Sequence, residues 1–79
     1  MDTDLLERRL ALVERQIVDA ERHVTLRRDI ILRLELDGLS SSQTAEVARD
    51  RLRQIEDKLR RRGAERKQLQ AELRRARAA

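Results

Sequence analysis

The sequence predicts an all-α fold: an antiparallel two-helix hairpin of coiled-coil character, which is expected to assemble into a four-helix bundle. Three observations predict it. Charged residues make up 43% of the 79 residues and aromatics 0%, with no proline and two glycines, a composition of long surface-rich helices rather than of a globular enzyme. Apolar residues recur at alternating steps of three and four in two long runs. Between the runs lies one short segment, LDGLSSSQ, with a glycine and a run of serines. The whole chain reads as a single helical-hairpin domain, 1–79.

Helix 1 is predicted over about residues 4–36. Leu6, Leu10, Val13, Ile17, Ala20, Val24, Arg27, Ile31 and Leu34 form a heptad stripe with one polar defect, Arg27. Leu5, Val18 and Ile30 widen the stripe, as in a helix packed within a bundle. Asp4 followed by Glu7 fits a capping box and marks the start. Gly38 supplies the left-handed residue that closes a helix, and the turn is placed at about 37–41. Ser40 with Gln43, or Ser41 or Ser42 alone, serves as the next cap.

Helix 2 is predicted over about residues 42–77. Its stripe is Ala45, Ala48, Leu52, Ile55, Leu59, Arg62, Arg66, Leu69, Leu73 and Ala76, with defects at Arg62 and Arg66. Two long helices joined by so short a connection must run antiparallel. Facing positions then add to about 79, which sets Ile31 against Ala48, Val24 against Ile55, Ala20 against Leu59 and Leu10 against Leu69. In this register Ile17 and Val13 face Arg62 and Arg66, an expected weak point.

Charge supports the same pairing. Residues 1–48 hold seven Lys/Arg and ten Asp/Glu, net −3, while residues 49–79 hold twelve and five, net +7, together the +4 of the chain. Glu14 and Asp19 are expected within reach of Arg60 to Arg66, each such exposed pair contributing about 0.2–1 kcal/mol.

The stretch KLRRRGAERK, residues 58–67, admits three readings. Gly63 can be a helix C-cap, with the preceding cations on the negative end of the dipole and a third helix from Ala64. Alternatively one helix continues through Gly63, because the heptad phase runs unbroken into Leu69, Leu73 and Ala76 and an interior glycine costs only about 1 kcal/mol. Unbroken phase favours continuity. The third reading makes the arginines a phosphate-contacting surface. Asp57, Glu65 and Glu72 interrupt the run, and no aromatic is present to stack on bases.

Nothing in the sequence points to catalysis. There is no Gly-rich phosphate loop, no nucleophile elbow, no cysteine and one histidine, so no enzyme, metal or cofactor is expected. The segment MDTDLLERRL lacks the basic and apolar regions of a signal peptide, and no apolar run approaches the ~18 residues of a membrane span. A cytoplasmic protein without membrane contact is the expectation.

Three polar residues are candidates for fixing register. His23 borders the stripe and is expected to face Glu56, as a paired interfacial histidine or as a pH-sensitive switch of association. Arg27, at a core phase, either packs its stem while its head reaches a carboxylate such as Glu56, or specifies the oligomer.

The block ERHVTLRRDIILRLELDGLSSSQTAEVARDRLRQIEDKL, residues 21–59, resembles a group of short uncharacterised bacterial helical-hairpin proteins. The resemblance rests on His23, Arg28, Ile30, Ile31, Leu34, Glu35, Gly38, Thr44, Leu52, Glu56 and Leu59, and covers about half the chain. It departs in the serine run, where an aspartate usually opens the second helix, and in the arginine-rich tail. What it implies is a helical hairpin, with no activity attached.

A single hairpin leaves Leu5, Leu12, Val18, Leu26, Ile30 and Leu32 uncovered by the stripe, so a homo-oligomer is expected, a dimer first. The function expected is that of a non-enzymatic protein-interaction or adaptor module, docking a protein partner through Arg60, Arg61, Arg62, Arg66, Lys67, Arg74, Arg75 and Arg77. The alternative uses the same arginines against nucleic-acid phosphates.

Overall fold

The computed structural model describes residues 3–79 as two helices, α1 (Asp4–Leu36) and α2 (Gln43–Ala78), folded back on one another as a hairpin. Why α1 starts where it does differs from expectation. The backbone amide of Glu7 donates to the Thr3 carbonyl at 2.9 Å, so the flanking residue is Thr3 and Asp4 already lies inside the first turn. No side-chain cap forms; instead the Thr3 hydroxyl donates to Glu7 Oε1 at 2.9 Å, and Asp4 pairs with Arg8 at 3.2 Å. Two carboxylates in the first turn still complement the positive end of the helix dipole.

The bend closes as a Schellman motif. Gly38 has φ +76°, a conformation that costs a residue with a Cβ but not glycine. Its amide donates to Glu35 O at 3.1 Å, and the Leu39 amide reaches back to Leu34 O at 2.8 Å. Of the three serines, Ser42 is the cap: extended at ψ 157°, it accepts from the Ala45 amide at 3.1 Å through Oγ. Its hydroxyl also donates to Leu39 O at 2.6 Å, tying cap to bend. The turn thus extends one residue past the expected 41.

α2 runs without interruption through Gly63, which excludes the C-cap reading and a third helix. A Cβ built there would meet nothing within 4 Å, so no close approach inside the chain demands glycine.

Small residues let the helices approach near the bend, where Ala45 and Ala48 are buried on α2 and Ile31 on α1. At the open end Val13, Ile17 and Leu69 form a cluster flanked by Leu6, Leu10 and Leu59. This corrects the expected weak point, for Val13 and Ile17 are among the best-buried residues, at 3% and 6% exposure. Arg62 and Arg66 are half-buried, so their long aliphatic stems can cover those layers; the Arg62 Nε is buried without a hydrogen-bond partner, while its Nη1 donates to Glu65 at 3.0 Å.

The hairpin measures 59 × 14 × 13 Å with a radius of gyration of 17.7 Å, against roughly 12 Å for a compact domain of this length. It exposes 6189 Å², where a compact monomer of this mass exposes roughly 5,000 Å².

Candidate interaction surfaces

Heptad geometry divides the hairpin surface into two flanks, one on each side of the seam. If core layers add to 79, positions just outside them on one flank add to 84. Both cross-helix ion pairs obey that sum: Arg28 with Glu56 at 3.2 Å, and Arg77 with Glu7 at 3.3 Å. On this paired flank Glu21 shares a groove with Arg28, Glu56 and Arg60, and Val18 borders it beside Glu21 and Arg22. Near the bend Arg49 donates to the Ser40 carbonyl, which fastens α2 to the turn.

The opposite flank is a cleft. Gln16, Asp19, His23, Arg27, Arg51 and Lys58 line a depression of about 460 Å³, which continues past Arg27 and Arg51 to Ile30, Thr44 and Val47. His23, Arg27, Arg51 and Lys58 hold no ion pair among the described residues. Arg27 is half-buried and its Nε is both buried and without a hydrogen-bond partner.

These positions correct the expected polar trio. His23 is exposed and lies on the cleft flank, whereas Glu56 turns to the paired flank and accepts from Arg28. His23 stands one residue before the core position Val24 and Glu56 one residue after Ile55, which puts them on opposite sides of the seam, and neither His23 nor Arg27 meets Glu56. Arg27 does occupy the seam, as its phase requires.

The expected pairing of Glu14 and Asp19 with Arg60 to Arg66 is not formed among the described residues. Arg60 pairs instead with Asp57, and Arg62 with Glu65 at 3.0 Å, each within one turn of its own helix. Asp19 lines the cleft near Lys58. The eight basic candidates therefore do not form one surface. Arg60, Arg62 and Arg77 already hold carboxylates, Arg66 is half-buried, and Arg61, Lys67, Arg74 and Arg75 are exposed. Arg60, Lys67 and Arg74, spaced by seven, make one row; Arg61 and Arg75 make another about 100° around the helix.

The apolar candidates divide in the same way. Leu5 (65% exposed), Leu12, Val18, Leu26 and Leu32 are all exposed, and Ile30 is half-buried beside Val47. Leu5, Leu12 and Leu26 recur by sevens on the cleft side, while Val18 and Leu32, fourteen apart, stand on the paired side. Sequence reasoning missed the exposed Leu36, Leu39 and Val47 around the bend, and Arg51, Lys58 and Arg28 beside the seam. Extending the heptad count one position past the core stripe, on both helices, would have found the last three.

No cluster of three or more His, Cys, Asp or Glu able to hold a metal occurs among the described residues, and none of their helices is long and apolar enough to cross a membrane. Comparison with protein-family models, with curated proteins and with solved structures returned no match.

Proposed function

We propose that this chain is a small non-enzymatic helical interaction module that acts in the cytoplasm as a homodimer, two hairpins forming a four-helix bundle, and docks a protein partner through its basic second helix. The observation that carries the reading is the apolar surface left on the hairpin. Five large side chains of the expected interface stand exposed, from Val18 at 47% to Leu5 at 65%. One elongated hairpin exposes roughly 1,200 Å² more than a compact monomer of its mass, above the roughly 800 Å² per partner that a specific interface covers.

The partner docks against charge that the hairpin does not use. Arg61 and Arg75 are exposed on α2, about 100° around the helix from the Lys67 and Arg74 row, and hold no ion pair among the described residues. Molar mass by light scattering across protein concentration, at low and high salt, tests the reading. Twice the 9.3 kDa chain mass at both salts supports it; a single-chain mass throughout refutes it. Adding a mixed-sequence DNA duplex separates the other class of partner. Migration onto the duplex at low salt, lost at high salt, would replace the protein partner with nucleic-acid phosphates.

A further inference from the structure

We infer that the paired flank is where a second copy binds, with the two bends at the same end. The inference rests on the reading of the chain as a homodimer and adds the face and the orientation. Its basis is a match between two charged rows. On α1, Glu7, Glu14 and Glu21 recur by sevens; on α2, Arg60, Lys67 and Arg74 recur by sevens. Both rows border the same flank, since Glu21 and Arg60 line one groove, and Arg74 lines another with Arg77, which holds Glu7. Glu14, Glu21, Lys67 and Arg74 hold no ion pair among the described residues.

A face with acids on its left half and bases on its right half is self-complementary under only one kind of two-fold axis. An axis along the length of the hairpins exchanges the halves, so α1 of one copy runs antiparallel over α2 of the other. Glu7 then meets Arg74, Glu14 meets Lys67 and Glu21 meets Arg60 of the second copy, and each pair occurs twice. Glu14 with Lys67 joins two residues that hold no ion pair among the described residues, whereas Glu7 shares its carboxylate with Arg77 and Arg60 its guanidinium with Asp57. A two-fold axis across the length instead stacks α2 on α2 and brings two basic rows together. Charge therefore selects the orientation.

Nearer the bend, Arg28 and Arg53 are already neutralised by Glu56 and Asp50, and the one layer of unpaired like charges is Glu35 against Glu46. Val18 and Leu32, two of the five exposed apolar candidates, supply contact on the same side, while Leu5, Leu12 and Leu26 on the cleft side stay outside this interface. Gly63 falls between Arg60 and Lys67 on the helix surface, three residues after one and four before the other. Nothing inside the chain requires a glycine there, and its bare backbone clears the middle of the face for the second copy.

Two measurements test this on the full chain. Because the sequence has no cysteine, Ser41→Cys gives one spin-label site at the bend, and pulsed electron spin resonance reads the label separation in the dimer. Bends together place the labels within roughly 30 Å, two hairpin widths at ordinary helix spacing. Bends apart place them near the full 59 Å length and overturn the inference.

The second measurement is a charge exchange between chains. Glu14→Lys with Glu21→Lys, or Arg60→Glu with Lys67→Glu, should each weaken the homodimer at least tenfold while circular dichroism stays helical. Mixing the two variant chains should restore a dimer, because each mutated row then meets its opposite on the other chain. Undiminished homodimers, or no rescue on mixing, overturn the inference while leaving the interaction-module reading in place. A wild-type chain that is a monomer throughout removes both.

Discussion

Arg27→Leu should stabilise the protein. Arg27 occupies a core phase of α1, is half-buried, and carries a buried Nε with no hydrogen-bond partner. An unsatisfied buried donor costs about 1–3 kcal/mol, and for a half-buried side chain the lower end applies. Arginine and leucine have nearly equal helix propensity, so the backbone contributes little to the difference. The apolar gain is also small, because the arginine stem already covers part of the seam. About 1 kcal/mol is therefore expected, which raises the melting temperature of a chain of this size by roughly 4–8 °C. Thermal unfolding followed by circular dichroism at fixed protein concentration measures it, with light scattering on the same samples. An unchanged or lower melting temperature refutes the argument from the unsatisfied donor. A changed molar mass assigns Arg27 to the choice of oligomer instead.

Three further outcomes follow from the fold. Gly63→Ala, measured at concentrations where the chain is monomeric, should add about 1 kcal/mol, since the methyl meets open space and the helix interior loses its least favourable residue; destabilisation in urea melts would show an undetected clash. Ser42→Ala should cost about 1 kcal/mol by removing the acceptor of the Ala45 amide, and Ser42→Gly distinctly less, as chemical denaturation can determine. Leu69→Ala should cost about 2–5 kcal/mol, comparable to what a core of this size supplies, so loss of helical signal at 37 °C is expected; retained cooperative folding would mean that the open-end cluster is not what holds the helices together.

Much of this protein was legible in one dimension because its structure is nearly one-dimensional. The alternation of threes and fours placed α1 at its observed bounds and α2 within one residue, since helix periodicity maps sequence directly onto faces. Gly38 was readable for the same local reason, its left-handed backbone being a property of one residue. The capping residue of α1 was not, because Thr3 and Asp4 compete as neighbours and the backbone bond from Glu7 decides between them. Val13 and Ile17 were misjudged because residue type alone does not show that an apolar arginine stem can cover a core layer, and both are buried opposite the half-buried Arg62 and Arg66.

The candidate surfaces were less legible than the fold. Every predicted residue lies on the surface or in the seam, yet applying the core register to residues just off the core set His23 against Glu56, which lie on opposite flanks. Treating the apolar residues as one face, and the arginines as another, likewise overlooked the roughly 100° between adjacent positions on a helix.

Sequence alone determined that there are two helices, where they bend and which stripes they bury, because each of these depends on local propensity and periodicity. Only the tertiary structure decided which charges are consumed within the hairpin and which are left over. Ion pairing depends on which side of the seam two side chains reach, and that is settled when the helices pack.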